Sequence, residues 1–185
     1  AQQSPISLDI NQVFDSEIDF KITYFDTAFV INPKYNLTIN FRANMSKVEL
    51  TTKNGKSATY IGRYLDIRSP SEHSINGTLA SAELQVVHTL SSNSLDPFKK
   101  SYIIVAYLFQ SNADKESSFF KSFNILNNLG YVRINFNSAF NNFDFRNLID
   151  IASYNGSFTT PDCKEDVMWF VYRQGIHWCN YRTTG

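Results

Sequence analysis

The chain has 185 residues, of which 43% are hydrophobic and 15% aromatic, and its formal net charge is zero. This length is enough for one domain with a sizeable core, so we treat residues 1–185 as a single domain. The zero net charge gives no support to binding of nucleic acid or of an anionic membrane. No apolar run approaches the roughly 20 residues of a membrane-spanning helix, so no membrane span is expected.

The first part of the chain is typical of short strands separated by turns. Residues 3–8 read QSPISL, and a proline in such a segment suits an entry loop better than a central strand. Further on, apolar and polar residues alternate between clusters of Asn, Pro and Lys, which predicts strands and turns. The predicted strands are residues 20–24, 36–42 and 47–52.

Two later segments alternate with a period of two, and this period decides which side chains share a face. In the strand predicted over residues 60–67 and continuing beyond it, Asp66 and Arg68 point to the same face. In the strand that follows, Glu83 and Gln85 point to the same face. Each strand therefore presents a pair of polar side chains on one side.

The next segments are more apolar. Residues 100–109, KSYIIVAYLF, form a continuous apolar run with polar flanks, which predicts a strand buried on both faces. Residues 115–129 predict an amphipathic helix that ends before Gly130. Its apolar residues are Phe119, Phe120, Phe123, Ile125 and Leu126. We interpret them as core-facing side chains.

Two blocks of sequence resemble the α-carbonic anhydrases. In the first, residues 71–73 (SEH) and 82–88 (AELQVVH) match the family patterns SEH and AELHxVH. In the second, residues 154–171 (YNGSFTTPDCKEDVMWFV) match YxGSLTTPPCxExVxWxV. With the QSPI motif, the resemblance covers residues 3–171, while residues 172–185 form a divergent tail. It implies an α+β, predominantly β fold: a central, mostly antiparallel twisted sheet of about ten strands, at the upper end of the usual range, with short peripheral helices.

The resemblance places Asp66, Arg68 and Gln85 where the family has its three zinc-binding histidines, with Glu83 beside them. A catalytic zinc site needs three donors with lone pairs and an open position for water. Asp66 can ligate, but Gln85 offers a weakly binding amide, and Arg68 has a positive charge and no lone pair. We therefore expect no zinc, no other cofactor and no hydration of carbon dioxide. We hypothesise that Arg68 takes the place of the metal as the local cation, paired with Asp66 or Glu83.

Other positions of the family's active site bear on the same interpretation. Tyr35 falls on the histidine that shuttles protons, and a phenol with a pKa near 10 is a poor shuttle at neutral pH. Ile104 falls on a valine of the carbon dioxide pocket and would narrow it. Glu72 and Thr159 match the pair that orients the zinc-bound hydroxide, and we expect them to persist as a buried hydrogen-bonded pair.

The histidines do not suggest a replacement metal site. The resemblance gives His73 and His88 internal hydrogen-bonding roles, and His177 lies in the divergent tail.

The sequence permits two kinds of covalent modification, N-glycosylation and disulfide formation. The sequence contains N-glycosylation sequons at Asn36, Asn44, Asn76 and Asn155. About three would occur by chance in this composition, so they permit a secreted setting without proving it. The resemblance implies a disulfide between the position of Cys163 and a cysteine upstream of QSPI. Cys179 is the internal alternative, and the sequence does not decide whether Cys163 and Cys179 pair.

Three functions follow from these observations. The favoured one is a non-catalytic carbonic-anhydrase-like domain that acts as a structural or protein-interaction module, through protein partners or self-assembly in a larger assembly. Trp178, Tyr181 and Arg182 of the tail belong to the residue types enriched in interface hot spots. The alternatives are a zinc-dependent carbonate dehydratase with an unusual metal site and a glycan-binding surface module. We expect an extracellular or cell-surface location, with an organelle lumen or a membrane-complex subunit as alternatives.

Overall fold

The computed structural model describes residues 3–9, 11, 17–25, 27–32, 37–40, 46–111, 131–134 and 151–178. For residues 27–32, 37–40, 111, 131–134 and 173–178 only the backbone is described. The helix predicted over residues 115–129 lies outside these ranges. The described part of the chain contains strands and turns and no helix, and it contains no helix long and apolar enough to cross a membrane.

Thirteen strands make up the described part of the chain. In chain order they are β1 (Ser7–Leu8), β2 (Ile18–Tyr24), β3 (Thr27–Asn32), β4 (Leu37–Asn40), β5 (Ser46–Thr52), β6 (Ser57–Arg68), β7 (Ser74–Ile75), β8 (Thr78–Leu79), β9 (Ala82–Leu90), β10 (Tyr102–Ser111), β11 (Tyr131–Ile134), β12 (Ile151–Gly156) and β13 (Val167–Trp178). The strands predicted from alternation all overlap observed strands. The strand predicted over residues 60–67 is observed as β6 and is longer than expected, because it already begins at Ser57.

Ten of these strands form one large sheet. The order across it is β11-β3-β4-β6-β9-β10-β13-β12, and β5 pairs with both β2 and β6. The other three strands, β1, β7 and β8, form a small separate sheet. The large sheet is mixed, because β10 and β13 run parallel while the other described neighbours run antiparallel. The predominantly β fold and the large central sheet are thus confirmed, whereas the short peripheral helices remain a prediction.

Among the described residues, side chains pack into a cluster on each face of the large sheet. On one face, Leu65 and Leu84 join a cluster with many aromatic residues. On the other face, Val87, Ile104 and Trp169 belong to a second cluster. The central strand β10 contributes alternately to both clusters, as its continuous apolar sequence predicts.

Strand β6 contains an irregularity that changes which residues face each cluster. Its pairing with β9 shifts between Gly62 and Tyr64, so Arg63 is an extra residue in the ladder. Tyr60 belongs to the first cluster, whereas Tyr64 packs against the second. The bulge therefore sends the two tyrosines to opposite faces although they are four residues apart.

Strand β13 continues past the point where the sequence departs from the carbonic anhydrase pattern. It runs from Val167 to Trp178 and stays parallel to β10, with a register shift after Tyr172. The first part of the divergent tail is thus strand. Cys179, Tyr181 and Arg182 lie outside the described residues.

Candidate functional site

The pairing of β6 with β9 brings the polar residues of the two strands together. Asp66 lies opposite Gln85, and Arg68 lies opposite Glu83. Directly opposite residues of an antiparallel pair project to the same face of the sheet. Glu72, from the segment that connects β6 to β7, joins them through its side chain, and we call these five residues the polar cluster.

The guanidinium of Arg68 is held between two carboxylates. Its Nη2 donates to Asp66 Oδ2 at 3.2 Å, and its Nε lies 3.5 Å from Glu72 Oε1. The side chains of Arg68 and Asp66 are each only 13% exposed, so the pair is largely removed from water. Arg68 therefore pairs with Asp66, as hypothesised, and its second carboxylate is Glu72 rather than Glu83.

Glu83 is fully buried and has hydrogen-bond donors at both carboxylate oxygens. The backbone amides of Glu72 and His73 donate to Oε2 at 2.9 and 2.8 Å. His73 Nδ1 lies 2.7 Å from Oε1, and Gln85 Nε2 donates to Oε1 at 2.9 Å. Burial alone would raise the pKa of Glu83, but the hydrogen bonds and charge of His73, with the bond from Gln85, lower it below its usual value. Glu83 thus stays ionised in the interior.

A chain of hydrogen bonds continues from Glu83 to the N-terminal segment. His73 Nε2 lies 2.6 Å from the hydroxyl of Tyr154, which donates to Ser4 Oγ at 2.9 Å. Ser4 Oγ also accepts from the amide of Ser157 at 3.2 Å, and Ser157 Oγ accepts from the amide of Ser4 at 3.0 Å. These bonds join the QSPI segment, the SEH segment and the end of β12 into one network.

Gln85 presents its amide nitrogen to the cluster. Nε2 donates to Glu72 Oε2 at 2.8 Å and to Glu83 Oε1 at 2.9 Å. Both protons of the amide group are therefore directed at carboxylates. A metal ligand needs a lone pair at that point, so this nitrogen cannot bind a cation.

The donor set at the predicted former metal positions does not fit zinc. Asp66 supplies one carboxylate, which is already paired with Arg68. Arg68 supplies a fixed positive charge, and the nitrogen of Gln85 is a donor only. Across the described residues, no group of three or more His, Cys, Asp or Glu side chains is arranged to hold a metal ion.

The expected hydrogen bond between Glu72 and Thr159 is not formed. Glu72 is engaged by Gln85 and Arg68 instead, and Thr159 is partly exposed. Glu72 Oε1 lies 3.5 Å from Arg68 Nε, and the positive charge of the guanidinium attracts the carboxylate. Ile104 is 1% exposed and lies opposite Val87 in the second cluster. Tyr35 lies outside the described residues.

The other predicted positions are distributed away from the cluster. His88 is buried, with Nε2 2.8 Å from Ser46 Oγ, which agrees with an internal hydrogen-bonding role. Of the sequon asparagines, Asn76 lies in the turn between β7 and β8 and Asn155 lies on β12, and both are exposed. Asn36 and Asn44 lie outside the described residues, and glycosylation stays a prediction. Cys163 carries a free thiol, and Cys179 is not described.

Sequence reasoning missed the roles of Ser4 and Tyr154. Both belong to the matched motifs, QSPI and YNGS, but neither is close in sequence to the SEH segment. The signal available was that a buried histidine such as His73 needs a partner at each ring nitrogen, and that a tyrosine can supply one.

Two comparisons of sequence place this chain among known proteins. The family model for eukaryotic-type carbonic anhydrase matches residues 1–182. Dioscorin DB3S of Dioscorea polystachya is 27% identical over 184 residues, which cover 94% of this chain and 62% of the relative. Carbonic anhydrase 3 of Bos taurus is 33% identical over 114 residues, which cover 57% of this chain and 43% of the relative. The chain thus spans less than two thirds of the length of either relative.

Solved structures show the same likeness. A crystal structure of dioscorin complexed with ascorbate superposes with a TM-score of 0.68 at 25% identity, covering 97% of this chain and 72% of that protein. The α-carbonic anhydrase of Thermovibrio ammonificans, solved with the inhibitor sulfanilamide, gives a TM-score of 0.72 at 20% identity, covering 97% and 74%. The family model covers nearly all of the chain and the fold agrees with it, so this chain belongs to the eukaryotic-type carbonic anhydrase family.

Proposed function

We propose that this chain is a non-catalytic carbonic-anhydrase-like domain that acts as a structural or protein-interaction module within a larger assembly. We further propose that it works outside the cell or at the cell surface. The observation that carries the first proposal is the position of Arg68, whose guanidinium lies between Asp66 and Glu72 in the polar cluster.

The electrostatics of the cluster support this proposal. A dication at the former metal positions would lie beside a guanidinium that is only 13% exposed, so the repulsion would be weakly screened. Arg68 would have to leave its two carboxylates to relieve that repulsion. Breaking a buried ion pair by removing one partner costs about 3–5 kcal/mol, so metal binding would begin with a large penalty.

The chemistry lost with the metal is specific. Hydration at neutral pH depends on lowering the pKa of a bound water from about 15.7 to about 7, which a zinc ion does and the side chains of the polar cluster do not. The cluster instead pairs its charges internally and supports the surrounding loops. This arrangement suits a domain that is kept for its shape and its surface.

The first test is zinc content per chain by elemental analysis, after dialysis against trace zinc, followed by stopped-flow hydration of carbon dioxide. We expect almost no zinc and no hydration above the buffer rate. The matched variant carries Asp66→His, Arg68→His and Gln85→His, which restores three imidazoles at paired positions of β6 and β9. That variant should take up about one zinc ion, and zinc in the unmodified chain together with hydration would favour the carbonate dehydratase alternative.

The assembly role is tested separately. Sedimentation velocity over a range of concentrations measures self-association, and the variant Trp178→Ala with Tyr181→Ala should weaken it if the tail carries the interface. A protein that stays monomeric, with no change in the variant, would remove self-assembly and leave a different protein as the partner.

A further inference from the structure

Strand β2 lies at an edge of the large sheet. It pairs with β5 along its whole length, and no other strand in the described part of the chain pairs with it. At such an edge, the backbone N–H and C=O groups that point away from the sheet can pair with a strand of another chain. Strand β2 has seven residues and no proline, so nothing in its sequence interrupts pairing of this kind.

The side chains of β2 alternate between a packed face and a charged face. On the packed face, Phe20 is buried in the first cluster, while Ile18 and Ile22 are only partly buried against it. On the other face, Asp19 and Lys21 are both exposed. The strand therefore presents incompletely covered apolar side chains on one side and one charge of each sign on the other.

The two charges of β2 have no ion-pair partner among the described residues. Across the pairing with β5, Asp19 lies opposite Thr51, and Lys21 lies opposite Glu49. The carboxylate of Glu49 is bound by Lys47, with Nζ 3.0 Å from Oε1. Asp19 and Lys21 are thus left to pair with charges from outside the strand's own sheet.

The charges that flank them are already paired. At the start of β2, Glu17 Oε1 lies 3.0 Å from Lys53 Nζ, just as Glu49 is paired with Lys47. These two pairs contribute no net charge, so the surface along β2 is neutral overall. A partner that fits it must itself carry one positive and one negative charge at matching positions.

The order of its residues makes β2 complementary to itself. When two copies pair antiparallel about a two-fold axis at Phe20, each Asp19 lies opposite the other copy's Lys21. Each Ile18 then lies opposite the other copy's Ile22, on the packed face. An axis at Asp19 or at Lys21 would instead place two like charges directly opposite each other, which is unfavourable.

We propose that the chain forms a symmetric dimer through β2, in which two copies pair antiparallel about a two-fold axis at Phe20. The large sheet then continues from one copy into the other. Backbone hydrogen bonds join the strands, and the two symmetry-related pairs of Asp19 with Lys21 fix the register. The inference rests on the proposed function and deepens it, because it names a second copy as the partner and β2 as the surface.

The test is sedimentation equilibrium over a range of concentrations, with charge reversals on β2. Pairing of one short strand gives a small interface, so we expect a weak, concentration-dependent dimer. Asp19→Lys brings like charges together at both symmetry-related positions, and so does Lys21→Asp. Each single variant should weaken the dimer about tenfold or more. The double variant, Asp19→Lys with Lys21→Asp, exchanges the two charges and should recover the dimer.

The control is Lys164→Glu, which reverses an exposed charge in the segment before β13. Strands β5, β6, β9 and β10 separate β13 from β2, so this variant should dimerise like the unmodified chain. Thermal unfolding checks that the variants fold, and changes at the exposed Asp19 and Lys21 should alter stability little. Added salt should narrow the difference between the single variants and the unmodified chain, since it screens attraction and repulsion alike.

Three results would overturn the proposal. They are a protein that stays monomeric, a dimer that the single reversals leave unchanged, and a double variant that associates no better than the single ones. A dimer weakened only by Trp178→Ala with Tyr181→Ala would assign self-association to the tail, which overturns pairing through β2 and leaves the proposed function standing. Zinc content is measured on the same preparation, and zinc with hydration removes the proposed function whatever the association result.

Discussion

Replacing Arg68 with methionine tests whether it is the central cation of the polar cluster. Arg68→Met keeps a long apolar stem but leaves Asp66 and Glu72 without their cation. Breaking a buried pair costs about 3–5 kcal/mol, whereas an exposed pair contributes about 0–1 kcal/mol. Arg68 and Asp66 are 13% exposed and Glu72 is 26% exposed, so the environment lies between these limits, nearer the buried one. We expect a loss of about 2–3 kcal/mol in the free energy of unfolding.

The assay is urea unfolding at neutral pH, with Arg63→Met as the control. Arg63 is an exposed arginine on the same strand whose described side-chain bond is to Thr89, so its replacement should cost less than about 1 kcal/mol. Adding Asp66→Asn to Arg68→Met should recover part of the loss. If Arg68→Met costs no more than Arg63→Met, the assignment of Arg68 as the central cation is wrong.

Two further predictions concern the interior. Burial lowers the pKa of His88 to about 4, against about 6.5 in the unfolded chain, so its contribution to stability is complete above pH 6.5 and is lost as the pH falls toward 4. The loss in the free energy of unfolding approaches about 3 kcal/mol. Measured by chemical denaturation between pH 7 and 4, this free energy should fall less steeply with pH in a His88→Asn variant than in the unmodified chain. The same slope in both proteins would contradict the reasoning. At Gly156, an added Cβ would collide with Ser4 Oγ and lie 2.8 Å from the Tyr154 ring, so Gly156→Ala should cost about 1–3 kcal/mol in thermal or urea unfolding. The double variant Gly156→Ala with Ser4→Ala should lose less stability than the sum of the two single variants, because both changes affect the same contact. If the two losses simply add, the residues do not share a contact.

The strands of the sheet could be predicted from the sequence because side chains along a strand alternate between its two faces. Alternation placed Asp66 with Arg68 and Glu83 with Gln85, and the observed register brings the two pairs to one face. The same reasoning could not see the bulge. By a strict period of two, Tyr60 and Tyr64 would share a face, but the extra residue Arg63 separates them.

The sequence predicted the positions of the polar-cluster residues better than it predicted their hydrogen-bond and ion-pair partners. Glu72 lies in a connection, where no period fixes the direction of a side chain, and it turned to Arg68 and Gln85 rather than to Thr159. The resemblance described a pair that works around a metal ion. With the guanidinium of Arg68 in the polar cluster, the carboxylate of Glu72 is attracted to that charge and not to Thr159. Only the observed geometry reveals this change of partner.

The network around Glu83 ties distant parts of the fold together through the protein's own side chains and backbone. The contacts from Glu83 through His73 and Tyr154 to Ser4 involve no metal, and they tie three distant segments together. Their donors and acceptors satisfy one another in a buried setting, where a single unpaired group costs about 1–3 kcal/mol. Gln85 joins this network through Glu83. Arg68 and Gln85 extend this arrangement, because together they give each carboxylate that faces them a donor.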